Sequence, residues 1–207
     1  AWNYGFSLSH EFQLANRKAN FVLDYFQTDF THQWIVDMEI AHAIRMYSNP
    51  GTSYSKSAQI EFNYSPLPRL EWKAAYRFQD VASDYLSESG ALRRLSKPFL
   101  NRDRVLVNVA YATKYDIWKF DLTWQWSGSR RIPNAYVHVG DAPEMNAPAF
   151  SMVYGQVTRQ FKHWEMYVGV ENLFNFTQPN PIIGVSDPFG RDFDATMIWA
   201  PIAGRMV

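Results

Sequence analysis

Adjacent arginines occur twice in this chain, at Arg93-Arg94 and at Arg130-Arg131, each within a long polar stretch. A guanidinium is a planar fork of donors that matches carboxylate and phosphate, so the two pairs together could take an anionic ligand. Contact with anionic lipid headgroups, or plain solvation, is the simpler account. Asp187, Asp192 and Asp194 gather around Arg191 toward the C-terminus. Carboxylates at such spacing can hold calcium, yet these do not fit an EF-hand loop, and salt bridging within the loop explains them with less. The ligand-binding candidates are therefore Arg93, Arg94, Arg130, Arg131, Asp187, Arg191 and Asp192. Trp34, Tyr47 and Tyr54 could stack on a sugar or a flat chelate, and loop packing explains them equally well.

Nothing in the sequence assembles a catalytic centre. The five histidines, His10, His32, His42, His138 and His163, show no HExxH or comparable metal spacing. There is no GxSxG elbow and no P-loop. His138 and Asp141 lie close together with Ser127 and Ser129 upstream, but a spacing this generic suits a solvated loop better than a hydrolase rim. With no cysteine there is neither a disulfide framework nor a cysteine metal site. The expectation is a non-enzyme with no cofactor and no metal. A net charge of zero and a pI of about 7.2 leave no electrostatic footprint for nucleic acid.

The elements that must position these side chains are strands. From Leu70 to Gln79, the residues Leu70, Trp72, Ala74, Tyr76 and Phe78 alternate with Glu71, Lys73, Ala75, Arg77 and Gln79. Successive strand side chains point to opposite faces, so this segment has one apolar and one polar face. Trp118 to Ser127 repeats the pattern. Phe6, Leu8, Phe12 and Leu14, then Phe21, Leu23 and Tyr25, then Ala58, Ile60, Phe62 and Tyr64, then Val105, Val107 and Val109, and finally Trp164, Met166, Val168 and Val170 give further apolar faces. The polar faces are mixed in sign, with Asp24, Glu61, Glu71, Asp121, Glu165 and Glu171 beside Lys73, Arg77 and Lys119. In Phe150 to Phe161 the apolar residues fall on both parities, and the faces stay unassigned.

Alternation alone also fits a soluble antiparallel sandwich. Three features favour a membrane barrel. Short turns near 15–18, 65–69, 114–117 and 160–163 alternate strictly with long connections near 31–53, 80–103, 128–149 and 172–204, the asymmetry of an outer-membrane barrel. The clear strands run to about 10 residues, as a tilted bilayer crossing requires. Phe12, Phe21, Tyr64, Trp72, Tyr115, Trp118, Phe161 and Trp164 flank the short turns, where rings with polar tips suit a lipid–water boundary. The fold expected is all-β: an antiparallel up-and-down transmembrane β-barrel, here a partial wall of about eight or nine strands. Five of its outward residues, Trp72, Tyr76, Phe120, Trp124 and Val168, should stand exposed, and the first strand should not pair with the last.

The run Tyr167-Val168-Gly169-Val170-Glu171-Asn172-Leu173-Phe174-Asn175 resembles the GxEN(L/I)F(N/D) stretch near the end of TonB-dependent receptor barrels. Gln178-Pro179-Asn180-Pro181, Asp187-Pro188-Phe189-Gly190 and Trp199-Ala200-Pro201-Ile202-Ala203-Gly204-Arg205 follow in the order of that family's last extracellular loop and final strand. The resemblance implies a 22-stranded barrel around a plug domain, importing a scarce bulky nutrient (a metal chelate, cobalamin or an oligosaccharide) captured by long extracellular loops. It further implies the outer membrane of a Gram-negative bacterium, contact with membrane lipid and lipopolysaccharide, a plug, and TonB engaged through an N-terminal region outside this sequence. On that reading residues 1–207 are the C-terminal part of the barrel domain, ending inside the final strand. Glu171 is expected to serve wall structure rather than ligand. A passive porin or structural barrel is the alternative.

Overall fold

The structure, a computed structural model, describes every residue except 40–43, 88, 134–145, 183, 191 and 192. His42, His138, Asp141, Arg191 and Asp192 therefore lie outside the described residues. The strands are β1 (Trp2–Leu14), β2 (Arg17–Thr31), β3 (Trp34–Asp37), β4 (Arg45–Ser48), β5 (Thr52–Leu67), β6 (Leu70–Leu86), β7 (Leu92–Ser96), β8 (Asp103–Ala112), β9 (Trp118–Ser127), β10 (Arg130–Arg131), β11 (Asn146–Ala147), β12 (Phe150–Gln160) and β13 (Glu165–Val170). Eight of them form one antiparallel path, β1-β2-β5-β6-β8-β9-β12-β13, with β7 added beside β6. Each wall strand pairs with its neighbour in sequence along that path, as expected of an up-and-down meander. Among the described residues β1 pairs only with β2, so the sheet stays open there.

The short turns have local causes. Leu14 pairs with Arg17 across Ala15 and Asn16, both at positive φ. That is the backbone of a primed two-residue hairpin, whose twist matches its strands. Pro68 and Arg69 join β5 to β6, with Arg69 at φ 65°. Proline followed by a positive-φ residue is the type II arrangement.

Register carries the apolar parity across the whole wall. Phe12, Ala19, Tyr64, Trp72, Val109, Leu122 and Gly155 lie on one ladder row, and Leu8, Leu23, Ile60, Tyr76, Val105 and Trp126 on another. Pairing with β9 also settles β12: Val153, Gly155 and Val157 share the apolar face, and Met152, Tyr154, Gln156 and Thr158 the polar one. No second layer covers the apolar face. Trp72, Tyr76, Phe120, Trp124 and Val168 are 38–57% exposed. Near the short turns the aromatics meet one another: Phe62 contacts Phe12 and Tyr64, Phe120 contacts Tyr111 and Trp118, and Phe161 stacks on Trp164 at 3.8 Å.

The strands run longer than the 10 residues expected: 13, 15, 16 and 17 for β1, β2, β5 and β6. The apolar face itself does not. On β6 it spans Leu70 to Phe78 and then meets Asp80; Asp29, Lys56 and Asp103 interrupt the same face on β2, β5 and β8. Tyr54 and Tyr76 donate to Asp80 and Asp103 at 3.0 and 2.5 Å. A bilayer crossing needs about 9–11 tilted residues, and the apolar face of β6 up to Asp80 has that length.

Candidate functional site

Beyond that charged boundary the long connections are folded. β3 pairs with β4, β7 extends the top of β6, and β10 pairs with β11. Their apolar side chains Ile35, Tyr85 and Leu95 are buried together, with Tyr47 packed on them. Burial pushes the Tyr85 hydroxyl up to about 12, so it stays neutral. Charged groups tie the edges of this cluster. Asp37, 1% exposed, accepts from Arg45 at 2.7 Å, and the same arginine reaches the Leu86 carbonyl. Arg131, 3% exposed, donates to both carboxylate oxygens of Glu39 at 2.9 and 2.5 Å and to the Ser96 carbonyl at 2.7 Å. Arg94 donates twice to Asp84, which also receives the Thr52 amide and hydroxyl.

The arginines adjacent in sequence part company here, because consecutive residues of an extended chain face opposite ways. Arg131 and Arg94 are occupied within the loops. Arg93 is exposed, opposite Tyr85. Arg130 turns the other way, its guanidinium 5.1 Å over the Phe150 ring. Its Nε and Nη2 atoms are buried and have no hydrogen-bond partner. Burial and nearby Arg104 hold its guanidinium below the ordinary value. Asp187 is exposed and accepts weakly from the Phe189 amide at 3.3 Å. Tyr47 belongs to the buried cluster and Tyr54 to the outer apolar face, while Trp34 is exposed. No metal-holding group of three or more carboxylates and imidazoles occurs among the described residues.

One arrangement went unread in the sequence. On the polar face, one ladder row runs Gln59, Arg77, Arg104, Ser127 and Phe150. Arg77 and Arg104 are direct cross-strand partners, and Arg130 lies beside Arg104. Phe150 is stacked on Phe176 at 5.3 Å and tilted against Trp199 at 6.3 Å. Parity alone placed Arg77 on this face; only register could reveal what stands opposite. Elsewhere the same face sets opposite charges together, as in Lys73–Glu61 at 2.9 Å and Lys119–Glu165 at 3.5 Å, and Asn108 donates to Asp121.

The C-terminal run is structural. Asn172, at positive φ and 2% exposed, donates to the Phe176 carbonyl and accepts its amide. Asn175 accepts the Arg205 amide at 2.8 Å, and a Cβ at Gly204 would drive into that same Asn175 oxygen. Glu171 and Met206 form a bridge, and buried Gln178 receives the amides of Trp199 and Ala200. These asparagines, the glutamine and Gly204 fold the chain back onto β13.

No protein-family model matches the sequence, and no curated protein does. Solved structures do match. The siderophore receptor PiuA from Acinetobacter baumannii aligns with a TM-score of 0.61 at 13% identity, over 98% of this chain and 27% of that one. The ferric-catecholate import receptor Fiu from K12 E. coli gives 0.58 at 13% identity, over 96% and 26%. FpvA of P. aeruginosa, bound to heterologous pyoverdines, gives 0.57 at 17% identity, over 84% and 23%. The chain has the fold of part of the TonB-dependent receptor barrels, an antiparallel β-sheet wall, and spans about a quarter of the length of the solved receptors it matches.

Proposed function

We propose that this chain is barrel wall and extracellular loops of a TonB-dependent outer-membrane receptor that imports a scarce, bulky nutrient. In this reading the exposed apolar face meets membrane lipid, and the charged boundary at Asp29, Lys56, Asp80 and Asp103 meets lipopolysaccharide headgroups. The polar face surrounds a plug, and the folded loops admit ligand from outside. TonB acts through a region outside this sequence. The observation that carries the reading is the coincidence of two things in one chain: a wall with lipid-ready and polar faces, and long loops with their own buried cluster at one end only. A passive porin needs the first and not the second. The alignment over nearly the whole chain with PiuA and Fiu, a siderophore receptor and a ferric-catecholate import receptor, supports it further. The absence of any catalytic grouping in the sequence fits transport rather than catalysis.

The test is genetic and uses the full-length gene. A strain lacking it should lose growth on one class of limiting nutrient, among ferric chelates, cobalamin and oligosaccharides, and a strain lacking TonB should lose the same growth. Growth that survives loss of TonB yet requires the gene would move the protein to the passive porins.

A further inference from the structure

We propose that Arg77, Arg104 and Arg130 form an anion site at the outer end of the barrel's polar face, taking the carboxylate or phosphate groups of the imported ligand. The proposal deepens the receptor reading and rests on it for the direction from which the ligand arrives.

Among the described residues the wall holds one direct cross-strand pair of like charges. Arg77 and Arg104 stand directly opposite across neighbouring strands. Like charges in that position repel and destabilise a ladder. Their other partners on the row, Gln59 and Ser127, are uncharged. Arg104 makes one side-chain hydrogen bond, to the Asn101 amide oxygen at 3.2 Å, and Arg77 has no hydrogen-bond or ion-pair partner among the described residues. Farther down the same face, lysines sit against glutamates. The exception is therefore local.

Arg130 adds an independent observation. Two of its nitrogens are buried and make no hydrogen bond among the described residues. A buried donor without an acceptor is costly, more so when charged. The ring of Phe150 offers its guanidinium a face but no acceptor. Burial first, and Arg104 second, hold its guanidinium below the ordinary value. An anion with two or more oxygens would remove the repulsion and give these donors acceptors, and guanidinium forks suit carboxylate and phosphate geometry. The aromatic group of Phe150, Phe176 and Trp199 borders the arginines and would exclude water from one side of the ligand.

The full-length protein, folded in detergent micelles, is titrated calorimetrically with tricarballylate, with inorganic phosphate and with sucrose at fixed ionic strength. Saturable binding of one or both anions and none of sucrose is expected; which anion binds identifies the group recognised. R104Q and R130Q should each weaken binding at least tenfold, and R17Q, at the far end of the wall, should not. Gln59→Glu is isosteric and sets a carboxylate across from Arg77, so it should raise the thermal midpoint while weakening anion binding. No saturable anion binding would overturn the site, as would binding indifferent to R104Q and R130Q. Variants that lower only the thermal midpoint would assign the arginines to a carboxylate of the parent chain and overturn it too. If the TonB-dependent growth described above persists while neither anion binds, the site fails and the receptor reading stands.

Discussion

The wall and the loop cluster are built to opposite rules. In the wall, Trp72, Phe120 and Leu122 face outward with nothing covering them, and Glu61, Lys73 and Asp121 line the other side. In the loops, Ile35, Tyr85 and Leu95 are buried and their charged neighbours hold the rim. The same amino-acid types are sorted inversely because the surroundings are inverted. A lipid-facing surface rewards apolar side chains on the outside, and a water-facing cluster rewards them on the inside. The boundary between the two regimes falls where Asp29, Lys56, Asp80 and Asp103 enter the outward face.

Substitutions should therefore act oppositely in the two regions. Arg131→Met removes a nearly buried cation and its two bonds to Glu39. Breaking a pair of this kind costs about 3–5 kcal/mol. Amide exchange of the full-length protein should rise across β3, β4 and β7 and stay unchanged in β8 and β9. Exchange that rises everywhere would mean the loops and wall form one cooperative unit. Val107→Arg tests the other region. An arginine facing lipid mid-wall costs about 2–4 kcal/mol, read as a lowered midpoint of unfolding from vesicles. An unaffected midpoint would mean that this face does not meet lipid.

A smaller effect comes from Asp84, in the part of β6 above the apolar band. The bonds from Arg94 hold its carboxyl at about 2, below the ordinary 3.8. A depressed carboxyl contributes stability above its ordinary value and loses it as pH falls through the folded one. The tie from Thr52 through Asp84 to Arg94 should loosen between about pH 4 and 2. Arg94 is half exposed, so less than about 1 kcal/mol is at stake. Proton exchange at the Thr52 amide is the probe, and a flat profile across that window would refute the tie. Smallest is Lys119→Gln. Its 3.5 Å contact with Glu165 is open to solvent on both sides, and a change within about 0.5 kcal/mol is expected in the same unfolding assay. A larger loss would show that polar-face pairs hold the wall together.

The wall was legible because one apolar face and one polar face impose a period of two. Leu70–Gln79 and Trp118–Ser127 declare it residue by residue. Legibility failed where that contrast fades. β12 mixes Val153 and Val157 with Met152 and Tyr154, and only pairing with β9 decides its faces. Above Asp80, β6 has no lipid side, so its remaining length and the short strands β3, β4, β7, β10 and β11 leave no periodic trace. The doubled arginines show a related limit: proximity in sequence reads as proximity in space, whereas an extended backbone sends neighbours apart, Arg131 to Glu39 and Arg130 toward Phe150. The juxtaposition of Arg77 with Arg104 depends on a register between β6 and β8 that no local pattern encodes.

The Glu39–Arg131 pair joins positions 92 residues apart in the chain. Closing a loop of that length is entropically slow, whereas the wall pairs β1–β2, β5–β6, β8–β9 and β12–β13 each zip from a turn of a few residues. The wall can thus assemble strand by strand while the loops remain separate. The ion pair forms only after β9 is in place and Arg131 has emerged beyond it. In time, then, the loop cluster should acquire its shape after the strands it joins, and on unfolding it should open before they part.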